Sequence, residues 1–168
     1  MKRSVYLLNG SALLLAGCMG YQLGGSRPEG INTVAMGPVI NRTGEPAMEL
    51  QITHAMRDRI QLDGRMKLAN EPDNADALIE IKLVKFSLRP IAYDESLKTT
   101  PRIYRMTITG TAALRNTKTG KVISESDAYG EATFNFENDL TTSKRDAMPT
   151  AAAELAKFML DDLIEYWN

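Results

Sequence analysis

From Ala77 to Phe136 the sequence is written almost throughout in the period of a β-strand, and that stretch limits the possible folds more than any other. Tyr104, Met106, Ile108, Gly110, Ala112 and Leu114 share one parity, while Arg105, Thr107, Thr109, Thr111 and Arg115 share the other. Successive strand side chains point to opposite faces, so this pattern predicts one packed face and one wet face. Asn116 to Lys121, containing Gly120, reads as a hairpin loop, after which Val122, Ala128, Gly130, Ala132, Phe134 and Phe136 continue the apolar parity opposite Glu125, Asp127, Glu131 and Asn135. Small residues in mid-strand predict a helix lying close against that face. Upstream, Ala77 to Ile91 is a long strand whose parity changes: Ile79, Ile81 and Leu83 are odd, Val84, Phe86 and Leu88 even. A β-bulge near Leu83-Val84 would return all of them to one face.

The segments on either side supply helices. Thr33 to Val39 is dense in Val and Met and reads as a buried strand, central or parallel in its sheet, ended by Pro38 and the Asn41-Arg42-Thr43-Gly44 turn. Pro46, at a first helical position, opens a helix in which Met48, Ile52, Met56 and Ile60 form one face and which ends at Gly64. A short strand, Met66 to Ala69, precedes Pro72 and the Asp73-Asn74 turn. Asn138 to Asp146 reads as a polar loop, with Pro149 near the first turn of a last helix carrying Ala152, Leu155, Ala156, Met159, Leu163 and Tyr166 at three-four spacing. The expected fold is an α+β, two-layer domain: a four- to five-stranded, mostly antiparallel or mixed sheet with two helices packed on one face. Ile52, Met56, Ile108, Phe134, Leu155 and Met159 should meet in its core.

The N-terminus has a different character. Lys2 and Arg3 precede an apolar run from Val5 to Ala16, too short for a membrane span of ~20 residues, and the small residues Ala16-Gly17 suit a processing peptidase. Residues 1–17 therefore read as a removed signal peptide. The chain's only cysteine follows at once, and Leu15-Ala16-Gly17-Cys18 resembles the bacterial lipobox, which implies a diacylglycerol and an N-acyl chain on Cys18. A lone exported thiol cannot form an internal disulfide, and acylation would consume it. Two or more acyl chains, at about 0.8 kcal/mol per buried methylene, would hold a soluble domain at a membrane. Met19 stands where the inner-membrane retention signal would place aspartate, so the resemblance implies the outer membrane, facing the periplasm. Residues 18–30, with Gly20, Gly24, Gly25 and Gly30 around Pro28 and Tyr21 and Leu23 as possible contacts, read as a short flexible tether to a single domain over residues 31–168.

Charge and motif content exclude several functions. Loss of Lys2 and Arg3 lowers Lys plus Arg from 20 to 18 against 21 acidic residues, which leaves no bulk attraction for nucleic acid. One histidine, His54, on the polar side of the first helix, and no cysteine beyond Cys18 leave no His/Cys zinc set. His54 reads as a surface histidine. No glycine-rich phosphate loop follows a strand and no serine stands in an elbow motif, so neither cofactor nor catalytic residue is expected. Asp161-Asp162 and Asp73-Asp76 read as solvated carboxylates of a helix surface and a turn.

Behind the lipobox, Gly20-Tyr21-Gln22-Leu23, Ile31-Asn32-Thr33-Val34-Ala35, Asn41-Arg42-Thr43-Gly44-Glu45-Pro46, Leu62-Asp63-Gly64-Arg65, Ala75-Asp76-Ala77, Ala92-Tyr93-Asp94 and Tyr104-Arg105-Met106 follow in an order that resembles the LptE family of lipopolysaccharide-assembly lipoproteins. The resemblance implies a plug largely inside the lumen of an LptD-like outer-membrane β-barrel translocon, helping lipopolysaccharide to the cell surface. It also implies cationic ligand contacts in the loop before the Tyr-Arg-Met strand and in the segment before the last helix, for which Lys98, Arg102, Lys144 and Arg145 are the nearest matches. The Thr-Val-Ala-Met-Gly-Pro-Val-Ile-Asn strand followed by a helix also resembles lipoproteins that activate peptidoglycan synthases or build secretion pores. A short tether, at most ~3.5 Å per residue, favours a partner embedded in the same membrane.

Overall fold

The computed structural model describes residues 27–96, 98–137 and 139–165. Cys18, the stretch read as a signal peptide, most of the expected tether and Tyr166 lie outside the described residues. Five strands and two helices make the domain: β1 (Thr33–Asn41), α1 (Met48–Asp63), β2 (Lys67–Leu68), β3 (Ala77–Tyr93), β4 (Pro101–Asn116), β5 (Val122–Asn135) and α2 (Leu140–Glu165). The sheet order is β2-β1-β3-β4-β5, with β1 parallel to both neighbours and β3, β4 and β5 an antiparallel meander. Both helices pack on one face and against each other, the two-layer α+β arrangement expected.

The parity of the strands sets which face packs. Ile79, Ile81 and Leu83 of β3 lie fully or almost fully buried beside Met106, Ile108 and Leu114 of β4. The register then shifts between Leu83 and Lys85, so Val84 drops out of the ladder and Phe86 and Leu88 return to the packed face. This is the bulge that the sequence requires, since a one-residue insertion is what exchanges odd for even. Across the sheet, α2 lies directly on β5: a Cβ at Gly130 would run into the Ala151 carbonyl and the Leu155 backbone nitrogen, and one at Gly110 would approach the Met159 methyl to 2.9 Å. Only glycine permits that approach. Ile52, Met56, Ile108, Leu155 and Met159 are buried together, with Phe134 half-buried against them.

Several sequence expectations are corrected. Pro38 does not end β1; having no N–H, it is passed by a register shift between Met36 and Val39, and pairing resumes as far as Asn41. Pro46 is not the first helical residue. Helix α1 starts at Met48 behind Ala47, whose φ of 62° is left-handed, because the side chain of Asn41 already fixes the turn: its Oδ1 accepts from the Thr43 N–H and hydroxyl, and its Nδ2 donates to the Glu45 carbonyl. The polar segment after Asn138 is no loop from Leu140 onward, because Asp139 Oδ1 accepts the Thr142 N–H at 2.8 Å and caps a helix there. Pro149 thus sits inside α2 rather than near its start; it is exposed, so the Arg145 carbonyl it leaves unbonded can face water. Val122 leaves the packed face because the register shifts between Leu114 and Arg115, and Phe136 lies just past the end of β5.

Of the carboxylates read as solvated, Asp73 is exposed in its turn, whereas Asp76, Asp161 and Asp162 are engaged. Asp76 Oδ2 accepts the N–H groups of Asn32 and Thr33 and the Thr33 hydroxyl, pinning the start of β3 to the start of β1. Those hydrogen bonds, the Asn32 N–H foremost, hold the Asp76 carboxyl below its ordinary range. Asp161 bridges the helices through Arg59 at 2.7 Å and Arg65 at 3.7 Å, while Asp162 accepts from the Ser126 hydroxyl at 2.8 Å. Asp63, bonded by Arg65, is likewise shifted down.

Candidate functional site

The long β3–β4 hairpin projects beyond the end of β1, and the cations singled out in the sequence are distributed around it. Lys98 is exposed in the hairpin loop, and Arg102 is exposed near the start of β4, where its carbonyl accepts the Phe136 N–H. Lys144 and Arg145 stand on the first turns of α2, not on a loop. Lys144 is drawn inward: its ammonium pairs with Glu45 of the β1–α1 turn and lies 5.8 Å over the Phe86 ring. Arg145 points to solvent beside Asp146. Seven residue steps along β3 take the chain from Phe86 to Tyr93 at the base of the hairpin loop, ~23 Å at strand rise, so Lys98 and Lys144 do not form one cluster.

Between these cations the packed face of the sheet runs out from under the helices. Pro90 of β3 and Phe134 of β5 are both register partners of Tyr104, whose ring stacks with that of Phe134 at 6.0 Å and tilts against Phe136 at 6.4 Å. The result is an aromatic ledge, half-buried at Tyr104 and Phe134 and exposed at Phe136.

The opposite face of the sheet carries no helix, and sequence reasoning, which looked for cations on loops, missed what lies there. Lys85, Arg89 and Arg105 line a shallow trough of about 620 Å³ with Ser87, Thr107 and Tyr129. The signal was available: Arg105 has the wet parity of β4, and the bulge at Val84 carries Lys85 and Arg89 onto the same side. Among the described residues no group of His, Cys, Asp and Glu is placed to hold a metal, and no helix is long and apolar enough to cross a membrane. His54 is exposed on α1.

A mixed sheet with both helices on one side and an open, charged and polar face on the other defines an α+β two-layer domain, and comparison with known proteins makes this specific. The model of the LptE family, described as lipopolysaccharide-assembly, matches residues 31–165, and the chain belongs to that family of bacterial envelope lipoproteins. No curated protein sequence matches it significantly. Among solved structures it is similar in fold to a PelC variant, a dodecamer from Paraburkholderia phytofirmans (TM-score 0.53, 14% identity, 85% of this chain and 96% of that one). It is similar also to a hypothetical protein from Chlamydia trachomatis (TM-score 0.51, 12% identity, 79% and 98%) and to a Xanthomonas campestris protein (TM-score 0.50, 10% identity, 74% and 79%).

Proposed function

We propose that the chain is an outer-membrane lipoprotein, acylated on Cys18 after removal of residues 1–17, that works as the plug of an LptD-like β-barrel translocon and contacts lipopolysaccharide on its way to the cell surface. The observation that carries this reading is the family match over residues 31–165, which takes in every described element from β1 to α2. Two further features support it. A water-filled barrel lumen is polar, and the face of the sheet away from the helices is built of Thr, Ser, Arg, Lys and Glu, which such a lumen can solvate. The chain from Cys18 to Ile31, at most ~3.5 Å per residue, keeps the domain close to the membrane that anchors it. Lys98, Arg102 and Arg145 would meet phosphate or acidic sugar directly, whereas Lys144 would first have to exchange Glu45 for the ligand.

Affinity purification of the full chain from detergent-solubilised membranes tests the partnership. Co-purification of an outer-membrane barrel is the expected result; a periplasmic peptidoglycan synthase or a secretion-pore component in its place would overturn it. Cys18→Ser should leave an unprocessed or soluble protein, and continued fractionation of that variant with outer membranes in cells lacking the barrel would overturn the anchor.

A further inference from the structure

We infer that the open face of the sheet holds a second anion site, centred on Arg89 and Arg105, that receives the phosphorylated saccharide headgroup of lipopolysaccharide; the inference rests on the function proposed above. Arg89 and Arg105 are direct register partners across β3 and β4. Opposed residues of an antiparallel pair point to the same face with Cβ atoms about 5 Å apart, and two like charges so placed destabilise the sheet. The fold relieves this only in part. Among the described residues Arg89 has no carboxylate partner, while Arg105, half exposed, pairs with Glu131 of β5 at 3.7 Å, and Glu131 itself lines the trough. Glu131 is itself engaged by the Thr107 hydroxyl at 2.9 Å. Lys85, paired with Thr109 on the same face, adds a third cation to the trough.

The contrast with the other end of the same face is informative. There the charges are matched across the same two strands, Arg115 meeting Glu80 at 3.1 Å. Two opposed arginines sharing a single carboxylate, Glu131, are therefore particular to the trough, and their geometry suits phosphate, because two planar guanidinium groups can each donate in parallel to one tetrahedral anion. Tyr129, 57% exposed, offers a flat ring at the rim on which a sugar can rest, and the Ser87 and Thr107 hydroxyls supply the hydrogen bonding a saccharide needs. A volume of about 620 Å³ lies within the range of small-ligand sites. The trough is separate from Lys98 and Arg102 on the hairpin and from Lys144 and Arg145 on α2.

The test uses the full chain in a neutral detergent and isothermal titration with four probes: intact lipopolysaccharide, its deacylated form, the same saccharide stripped of phosphate, and inorganic phosphate. Arg89→Ser/Arg105→Ser should weaken binding of the phosphorylated saccharide at least tenfold. It should leave the dephosphorylated saccharide unaffected, and Arg89→Lys/Arg105→Lys should fall between. Both arginines are exposed, and a single cooperative thermal transition at or above the wild-type midpoint, as relief of the like-charge pair requires, will confirm the fold. If the wild type binds and the double Ser variant binds within twofold of it, the trough is not the site while the proposed function stands. If the wild type binds neither lipopolysaccharide nor its deacylated form, the ligand reading itself fails and this inference with it. Inorganic phosphate binding as tightly as the phosphorylated saccharide would overturn the saccharide assignment.

Discussion

Along β4, Met106, Ile108 and Leu114 are sealed beneath the helices, while Arg105, Thr107 and Thr109, each within a residue of one of the first two, look out over the open trough. One backbone thus serves two environments, and the difference shows what each is for. On the covered face the side chains are specified by volume, down to the two glycines that let α2 approach. On the open face volume is free and charge is specified, to the extent that two arginines are set opposite each other at a cost to the sheet. Packing accounts for the first face; the second is where the proposed ligand site would account for the placement of charge.

The sharpest way to break this comparison is to add volume on the covered side. Gly130→Val should cost more than about 3 kcal/mol in chemical denaturation, because helix backbone occupies the space and cannot yield as a flexible side chain would. Tyr129→Ala, one residue away on the open face, should stay within about 0.5 kcal/mol of wild type. Next in size is Ile108→Ala, expected to lose about 2–5 kcal/mol against less than ~0.5 for Thr109→Ala; equal values would mean that the two faces have been exchanged. Smaller again is Ala47→Gly, which removes a left-handed alanine at the entry to α1 and should stabilise by about 1 kcal/mol, while a loss would show that the turn is held otherwise.

The smallest effect is a slope, and it separates hydrogen bonding at the rim of the sheet from packing in its middle. Asp76 has its folded pKa depressed by the Asn32 and Thr33 donors, so its contribution is complete above the unfolded value of about 3.9 and is lost as pH falls through the folded one. Wild type should therefore lose stability relative to Asp76→Asn between about pH 5 and pH 2. Parallel curves for the two proteins would deny Asp76 that role.

Periodicity made the meander legible because a strand's two-residue repeat survives in any context: the parity of β4 and the break at Val84 translate directly into faces and a bulge. It also located His54 on the surface. The start of α2 was not legible, since Thr141, Thr142, Ser143, Arg145 and Asp146 carry no apolar stripe; the only cue was Asp139 three residues ahead of Thr142, a cap rather than a period. Nor could the pairing of Lys144 with Glu45 be read, because it joins residues that only the closed fold brings together. The same holds for Asp161, whose two arginine partners lie on and just after the other helix. Arg89 and Arg105 fall between these cases: each lies on a readable strand, but their opposition depends on the hairpin register.

The mixed direction of the sheet bears finally on the order in which the chain assembles. Strands β3, β4 and β5 are joined by short hairpins and can zip together locally on the microsecond scale. Strand β1 cannot, because its parallel partner begins at Ala77 and the whole of α1 and β2 must be looped out first, a closure that costs about 3 kcal/mol by chain entropy alone. The meander is then the template and β1 the late arrival, clasped by Asp76 and covered by α1 as it docks. Such a protein finishes folding at the end nearest its N-terminus, with the hairpin and its cations already in place.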